Sequence, residues 1–556
     1  MSADEKYYTD EKHLGTPPYD EKGDVVVSAV PVEEEDLETT HIGDHHLRRD
    51  LPPRVVSMIA IAGTIGTGLF LGSGTALTMG GPVGMWLGYT FIGFGVGFMM
   101  QSLGEMVCYR PNVGSFLEFG TKFVDPALGF MMGINLTLQV AFGVPTELAA
   151  IATLFTFWDP NKNHAAAYIA GFLVLTVLVN IIGVRWYGEI EFFFACIKVA
   201  TLVGLMIFGL IADLGGIPTN REYIGGRYWR DEPFNDNFMN IRPVGLSRFC
   251  GFWSVFTKAA FSFSAIESVA LVAGEAHNPR RTMKMAIRTV FYRIVGIYVL
   301  STLIIGLTVS QYSPLLLTSM KDGAGTAGAS PFVVLCKQMN VKVLPHIINA
   351  VVVTSALSSG NEQMYALSRG LMGMARNHQM PKIFLKTSKQ GIPYAGVLLS
   401  ALFSCLAFLC VSEGSNVGFV WLSNLSALSG LMTWICICVC FIRFQKACKV
   451  QGIDRNKFVF KGFLQPYLSY FTIIFFSIIL IFNGYTAWIP KFNVSTFFAS
   501  YITLAVILVS FVSWKVIKKT KMVPLDEVDL SGGPREAMIG TRYDPMYNGA
   551  TNNVYA

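Results

Sequence analysis

Apolar stretches about 20 residues long recur along this chain from Val55 to Val516. A helix of that length crosses the hydrocarbon core of a bilayer, so their recurrence predicts an all-α protein that spans a membrane many times. The composition agrees, because only 14% of the 556 residues are charged. Soluble domains carry roughly 25% charged residues, so the chain falls outside that class.

We expect twelve membrane-spanning segments, numbered here as spans 1 to 12. They cover 56–79, 83–107, 126–157, 165–184, 189–212, 251–275, 288–310, 344–376, 393–411, 417–442, 467–487 and 495–517. An even number places both termini on one side of the membrane. Lysine and arginine concentrate in the loops on that side, and the short loops on the other side contain almost none. The positive-inside rule therefore predicts that both termini are cytoplasmic.

The chain divides by composition into a twelve-helix domain, residues 51–517, and two tails. Residues 1–50 and 518–556 are rich in charge, Gly and Pro with little periodic apolar pattern, and we expect disordered cytoplasmic segments. The N-terminus has no apolar stretch typical of a cleavable signal peptide, so span 1 is expected to act as the targeting signal.

Three lysines lie among the acidic residues of the first tail: Lys6, Lys12 and Lys22. One interpretation of this charge pattern is a solvated tail. The other is a set of regulatory modification sites, for example for ubiquitin-ligase machinery.

No motif in the sequence points to an enzyme, a cofactor, a metal or a nucleic acid. The ten cysteines show no C-x-x-C pair and no metal-ligand spacing, and several lie in apolar runs where they act as small hydrophobic residues. A selectivity-filter repeat, a nucleophile elbow and a P-loop are also missing from the sequence. These observations argue against an ion channel and against a membrane enzyme.

The stretch SMIAIAGTIGTGLFLGSGTA, residues 57–76, places five glycines in an apolar span. A dinucleotide-binding loop would need a preceding strand and a different order of glycines. Irregular backbone in a membrane is tolerated where it lines a cavity, and an unwound segment from Gly63 to Gly68 would expose N–H groups suited to a carboxylate. Close helix packing through small residues is the alternative, and this stretch alone does not decide between them.

Span 6 carries a second irregularity. Transporters built from inverted repeats have interrupted helices at corresponding places, so spans 1–5 and 6–10 as repeats would require a break in span 6. That span contains polar residues at mid-membrane: Ser262, Ser264, Glu267 and Ser268. A charged residue there costs roughly 2.5–3.5 kcal/mol, so it needs a partner or a function. The two irregular spans together favour a transporter with paired broken helices.

Several ordered motifs resemble the fungal amino-acid permeases of the amino acid–polyamine–organocation superfamily, over about residues 45–530. They are SMIAIAGTIGTGLFLGSGTAL, QSLGEM, AAFSFSAIES with AGEAHNPRR, SSGNEQMYALSRGLMGMA and CFIRFQKACKVQG. The resemblance implies a 5+5 inverted-repeat (LeuT-like) fold with two further C-terminal helices. It also implies a plasma-membrane location and uptake of amino acids with protons.

The resemblance further implies a substrate site at the two breaks. The backbone of span 1 would bind the α-carboxylate through Thr64, Ile65, Gly66, Thr67 and Gly68. Unwound carbonyl groups of span 6 would bind the α-ammonium through Phe261, Ser262 and Ser264, with Phe261 closing as an aromatic gate. The family has a glycine two residues before Glu267, where this chain has Ala265, a residue that unwinds less readily.

Two charged residues are assigned to proton coupling by the resemblance, Glu267 and the span-5 residue Lys198. Burial raises the pKa of an acid and lowers the pKa of a lysine, so either group can exchange protons near neutral pH, as that role requires. For Lys198 the alternative is a side chain that extends to the inner surface. Glu147 in span 3 either lines the site or pairs with a neighbouring helix.

Two amides, Asn361 and Asn424, are candidates for the side-chain pocket, although such residues also join helices by hydrogen bonds. Glu105, near the inner end of span 2, is expected to pair with the basic inner loops or to be merely interfacial. Glu147 would select cationic side chains if it faced the cavity, and no other acidic residue is placed for that role, so we expect a broad or neutral substrate range. The alternative function is a non-transporting amino-acid sensor, which would be expected to carry a larger cytoplasmic extension.

Overall fold

The computed structural model describes residues 51–60, 65–111, 115–276, 279–322, 330–411, 415–489 and 491–531. Within these ranges the secondary-structure elements are all helices. Extended backbone there forms only isolated bridges, such as that between Leu51 and Ala276. The predicted all-α class is confirmed for this part of the chain. Thr64, the N-terminal lysines Lys6, Lys12 and Lys22, and residues 532–556 lie outside the described residues.

The α-helices, in chain order, are α1 Pro53–Met58, α2 Ser73–Tyr109, α3 Ser115–Phe119, α4 Pro126–Phe155, α5 Ala165–Ile181, α6 Val184–Asp213, α7 Arg227–Asp231, α8 Val244–Ser262, α9 Pro279–Arg293, α10 Leu300–Thr308, α11 Pro314–Asp322, α12 Pro331–Gln338, α13 Leu344–Arg376, α14 Tyr394–Ser404, α15 Ser415–Val450, α16 Tyr467–Phe482 and α17 Val494–Lys518. Segments of π-helix cover Gly68–Gly72, Gly120–Val124 and Ile294–Val299, and longer 3-10 segments cover Ile266–Glu275, Cys405–Cys410 and Asn483–Trp488. Each of the twelve predicted spans contains helix.

Eight helical segments of the described chain are long and apolar enough to cross a membrane. They are Gly68–Tyr109, Pro126–Phe155, Val184–Asp213, Val244–Ala273, Pro279–Thr308, Gly418–Val450, Tyr467–Trp488 and Val494–Lys518. The first combines the end of span 1 with span 2, separated only by the non-helical backbone of Gly81, with φ 77° and ψ 174°. Apolar helices at Ala165–Ile181 and Tyr394–Cys410 are shorter. The chain is a multi-pass membrane protein, and the count of twelve spans stays a prediction.

The helices differ in how much of their surface the protein itself covers. In the most apolar part of Val244–Ala273, 89% of residues are buried, whereas in that of α17 only 22% are. Helix α17 exposes Leu508, Val509 and Val516, each more than half accessible. Large apolar side chains exposed in rows mark a surface made for an apolar environment. Span 6 thus lies at the centre of the bundle and α17 at its lipid-facing periphery.

The chain after α17 departs from the expected disordered tail. Val528 and Leu530 are fully buried, and the Tyr109 hydroxyl donates to the Leu530 carbonyl oxygen at 2.8 Å. Arg110 pairs with the Asp529 carboxylate at 2.9 Å. The prediction of a disordered tail from residue 518 onward is wrong for this stretch. Its polar composition hid a segment with two buried apolar side chains, in which the carbonyl groups of Asp529 and Leu530 accept hydrogen bonds from Arg110 and Tyr109 at the end of α2.

Glu105 lies at the same end of the bundle. It is fully buried, and its two carboxylate oxygens accept from Arg455 at 2.7 and 2.9 Å, while one also accepts from the Gly462 N–H at 2.9 Å. Arg455 belongs to the basic loop between α15 and α16. The prediction that Glu105 pairs with one of the basic loops is confirmed, and the side of the membrane on which this loop lies stays a prediction.

Candidate substrate site

The first helix is interrupted where the glycines occur. Helical backbone reaches Ala60, whereas Ile65 and Gly66 are not helical, and π-helix begins at Gly68. The helix that resumes there presents its N-terminal N–H groups to the interior of the protein. This confirms the predicted break over the residues that are described, and Thr64 lies outside them.

A carboxylate already occupies this N-terminus, and it belongs to the protein. The Thr67 N–H donates to Oε2 of Glu147 on α4 at 3.2 Å. A Cβ added to Gly66 would overlap Oε1 of Glu147 and lie 2.8 Å from the Ser359 Oγ on α13. The Ser355 hydroxyl donates to the Ile65 carbonyl oxygen at 2.7 Å. The break therefore forms a small polar chamber in which Glu147 takes the position predicted for a substrate carboxylate.

The second break faces the first. Helix α8 ends at Ser262, and a Cβ added to Gly68 would lie 2.6 Å from the Ser262 Cα, so only glycine permits this approach. The Tyr89 hydroxyl lies 2.9 Å from the Ser262 Oγ and 3.4 Å from the Gly68 carbonyl oxygen. The glycine in span 1 and the end of the helix in span 6 are thus in direct backbone contact.

Span 6 is interrupted by a turn at residues 263–265. Ala265 adopts the left-handed conformation with φ 63°, and a 3-10 helix follows from Ile266. The predicted break is confirmed, and it falls at the position where the family has glycine. The prediction that Phe261 and Ser262 are unwound is wrong, because both belong to the last turn of α8, and only Ser264 lies in the turn itself.

The carbonyl groups at this helix end are bonded within the protein. The Ser264 N–H donates to the Phe261 carbonyl oxygen at 3.1 Å, and the Tyr298 hydroxyl donates to that of Ser262 at 3.0 Å. Arg293, itself buried, donates to the Tyr298 hydroxyl at 3.0 Å and to the Ala60 carbonyl oxygen at 3.1 Å. One arginine therefore links the end of the first half-helix to the break in the other helix.

Glu267 lies on the far side of the span-6 break. It is 1% exposed, and its oxygens accept from the Gln139 amide at 3.0 Å and the Trp434 indole N–H at 2.9 Å. Both partners are neutral donors. A carboxylate oriented by two uncharged side chains in the protein interior has the setting of a functional acid rather than of a structural ion pair.

Lys198 does not extend to the surface, because its side chain is completely buried. Its Nζ donates to the Ser358 hydroxyl at 2.9 Å, and that hydroxyl donates to a carboxylate oxygen of Glu191. The Asn361 amide also donates to Glu191, at 3.4 Å. Ser268 donates to the nearby acid Glu362. Lys198 thus belongs to a buried network of charged groups between α6, α13 and span 6.

The structure brings together most of the predicted site residues, but not all. Ile65, Gly66, Thr67 and Gly68 meet Glu147 and Ser262 around the two breaks. Asn361 contacts Glu191 instead, and Asn424 accepts a hydrogen bond at 2.9 Å from Lys258, which lies one helical turn before Ser262 on α8.

Sequence reasoning missed six residues of this site: Tyr89, Glu191, Arg293, Tyr298, Ser355 and Glu362. Glu191, Arg293 and Glu362 carried a usable signal, because each is a charged residue within a predicted apolar span. A tyrosine or serine in an apolar span has no comparable signal.

Comparison with known proteins gives the family. Residues 55–526 match the family model described as amino acid permease. The chain is 39% identical over 486 residues to the "Dicarboxylic amino acid permease" of Saccharomyces cerevisiae, covering 87% of this chain and 79% of that one. It is 37% identical over 547 residues to the "Lysine-specific permease" of the same yeast, covering 96% and 88%.

A solved structure supports the fold. The manganese transporter of Eremococcus coleocola, crystallised with an aromatic bis-isothiourea substituted compound, aligns with a TM-score of 0.52 at 12% identity, covering 84% of this chain and 94% of that one. At this identity the likeness concerns the fold alone. The match over most of the chain and the two yeast relatives are decisive for the family: the chain belongs to the amino acid permeases, among the fungal members of the amino acid–polyamine–organocation superfamily, and is a membrane transporter rather than an enzyme.

Proposed function

We propose that this protein imports amino acids together with protons across the plasma membrane by alternating access, with a broad or neutral substrate range. Its domain of residues 51–517 is proposed to have twelve spans, arranged as two inverted repeats of five followed by two helices. Both termini are cytoplasmic in this proposal, and the N-terminal lysines Lys6, Lys12 and Lys22 are proposed sites for ubiquitin-ligase machinery.

The observation that carries the proposal is the contact of two interrupted helices at Gly68 and Ser262. One helix presents an N-terminus and the other a C-terminus to the same interior region. Helix N-termini favour anions and C-termini favour cations, so the pair matches the two charges of a zwitterion. A single interrupted helix would match only one of them.

Substrate binding requires an exchange of partners. The substrate carboxylate takes the Thr67 N–H from Glu147, because two carboxylates do not share one donor in a buried chamber. The α-ammonium group of the substrate is bound by the carbonyl groups of Phe261, Ser262 and Ser264 at the second break. Phe261, which is half-buried, closes over the ligand.

The remaining site residues have two proposed roles. Glu267 and Lys198 carry the proton, and the link from Lys198 through Ser358 to Glu191 provides protonatable groups in succession. Asn361 and Asn424 shape the surroundings of the substrate side chain.

Uptake of labelled amino acids into permease-deficient cells tests the function. We expect saturable accumulation that is faster at pH 5 than at pH 7 and that a protonophore abolishes. Accumulation that ignores both the pH and the protonophore would disprove proton coupling. Binding or signalling without accumulation would establish the sensor function instead.

Glu267→Gln tests the proton site within the same assay. The amide keeps the size of the side chain and its acceptor for Trp434 but cannot carry the proton, so proton-driven accumulation should fall at least about tenfold at normal surface level. Glu189→Gln supplies the matched control, because Glu189 is a partly exposed acid on α6 whose partner is the exposed Arg54. Unchanged accumulation in the Glu267 variant would assign that residue a structural role.

A further inference from the structure

A cavity extends inward from the end of the bundle where α8 begins and reaches Lys258, one helical turn before the break in span 6. Its volume is about 590 Å³, and it lies between α8, α15, α17 and the segment that follows α16. Aromatic and polar side chains line it, among them Trp253, Thr257, Lys258, Trp421, Asn424 and Lys491. In the orientation proposed above, this cavity opens on the outer side of the membrane.

The cavity has an unbalanced charge. Two lysines, Lys258 and Lys491, contribute to its lining, and none of the described residues that line it is acidic. Lys258 lies well inside span 6, yet within the described chain its hydrogen-bond partner is the neutral amide of Asn424, and it forms no ion pair there. An ammonium group offers three donors and costs several kcal/mol to remove from water without a counter-charge. The cavity is therefore suited to an anion.

The rest of the lining restricts the kind of anion. The Thr257 hydroxyl donates to the Asn483 amide at 2.5 Å, and Ser254 and Tyr485 are hydrogen-bonded to each other at 2.7 Å, so these polar groups are already bonded around the walls. The two tryptophans contribute apolar surface. One fixed ammonium beside aromatic walls matches a small organic carboxylate better than a multiply charged phosphate, which needs several donors.

Lys258 also lies on the approach to the substrate site. Its carbonyl oxygen accepts from the hydroxyl of Ser262, one helical turn further inward, and Ser262 is the residue that contacts Gly68. Lys258, at the inner part of the cavity lining, thus lies one turn of helix from the break in span 6. The positive charge stands between the outer cavity and the proposed zwitterion site.

We propose that Lys258 and Asn424 form an outer subsite for the side-chain carboxylate of acidic amino acids, so that aspartate and glutamate are among the substrates. This inference rests on the proposed amino-acid transport. It extends the substrate range to anionic side chains through one specificity-determining residue.

The unmodified protein supplies the first test. Excess aspartate or glutamate should compete with uptake of labelled alanine, and both acids should accumulate. If no amino acid is transported, the proposed function itself fails. If alanine is transported but neither acid competes or accumulates, the transport function stands and the subsite is refuted.

Lys258→Gln supplies the second test. Loss of the charged hydrogen-bond donor should raise the KM for aspartate at least about tenfold while the KM for alanine changes less than about twofold. Lys258→Arg should retain most aspartate uptake, and Lys337→Gln, an exposed lysine on α12, is the matched control. Equal losses for aspartate and alanine would show that Lys258 acts only in packing, and no change would also refute the subsite.

Asn424→Asp keeps the test decisive if the lysine variants do not reach the membrane. A carboxylate at this position would neutralise Lys258 while the side chain keeps its size. Aspartate uptake should fall several-fold more than alanine uptake, as in Lys258→Gln. Full aspartate uptake in this variant would overturn the proposal.

Discussion

The two interrupted helices are opened by different means. In span 1, glycines leave space that other helices fill, with the carboxylate of Glu147 from α4 and hydroxyls from α13. In span 6, the chain turns through the left-handed backbone of Ala265, and its last carbonyl groups are bonded to Ser264 and to Tyr298. The first break depends on glycines, whose lack of a side chain leaves room for groups from other helices. The second depends on the strained backbone of Ala265 and on the neighbouring Tyr298.

This difference bears on how each break can work. Glu147 is a side chain on another helix and can leave the Thr67 N–H without disturbing either backbone. The carbonyl of Ser262 is held through Tyr298 to Arg293, which also binds the end of the first half-helix. In span 1 a substrate can thus replace the carboxylate of Glu147, whereas in span 6 these hydrogen bonds form a frame that holds the backbone in place. Four substitutions test that contrast, from the largest expected effect to the smallest.

Gly66→Leu should abolish uptake while the protein still reaches the cell surface. Its Cβ alone would overlap the Glu147 carboxylate, so the leucine side chain would occupy the position proposed for the substrate carboxylate. The assay is uptake per surface copy. Gly171→Leu on α5 is the matched control, because an added Cβ there has no described neighbour within 4 Å. Normal uptake in the Gly66 variant would show that the first break is not part of the site.

Glu147→Gln should reduce the response of transport to pH. The substrate must displace Glu147 from the Thr67 N–H. Protonation of Glu147, which is separate from the transported proton assigned to Glu267 and Lys198, favours that release, so the KM of the parent should rise between pH 5 and pH 7. In the glutamine variant the change in KM should shrink to within about twofold, because no proton is exchanged at that position. An unaltered pH profile would contradict the exchange of partners at the first break.

Tyr298→Phe should lower uptake about five- to tenfold per surface copy. It removes the donor to the Ser262 carbonyl and one acceptor of Arg293, a loss of about 1 kcal/mol in the frame. Tyr292→Phe, an exposed tyrosine on α9, serves as the control. If the two variants behaved alike, the second break would not depend on its tyrosine.

Ala265→Gly should leave uptake unchanged and slightly stabilise the protein. Glycine removes the cost of a left-handed alanine, for a net gain of about 0.5–1 kcal/mol after the entropy of the unfolded chain is counted. The measurement is the thermal midpoint of the purified protein. Ala260→Gly, inside α8, should lower that midpoint, since glycine weakens a helix interior. A lower midpoint in the Ala265 variant would contradict the strain assigned to this turn.

Much of the architecture could be predicted because it depends on local properties. Apolar length located the helices, glycine content located the first break, and polar residues in an apolar span located the second. The prediction for the C-terminal segment was wrong because it also used only local properties. Asp529 pairs with Arg110, and the Leu530 carbonyl accepts from Tyr109, and no local pattern indicates partners so distant in sequence.

The sequence by itself determined the all-helical membrane class, the family and the two irregular spans, because hydropathy and motif order are properties of neighbouring residues. Only the tertiary structure decided what fills the breaks. Thr67 meets Glu147 across 80 positions, and Arg293 reaches Ala60 across 233. Contacts at such separations arise from the packing of whole helices, and packing also decided that Lys198 is buried and that Lys258 faces a cavity without an acid among its described lining.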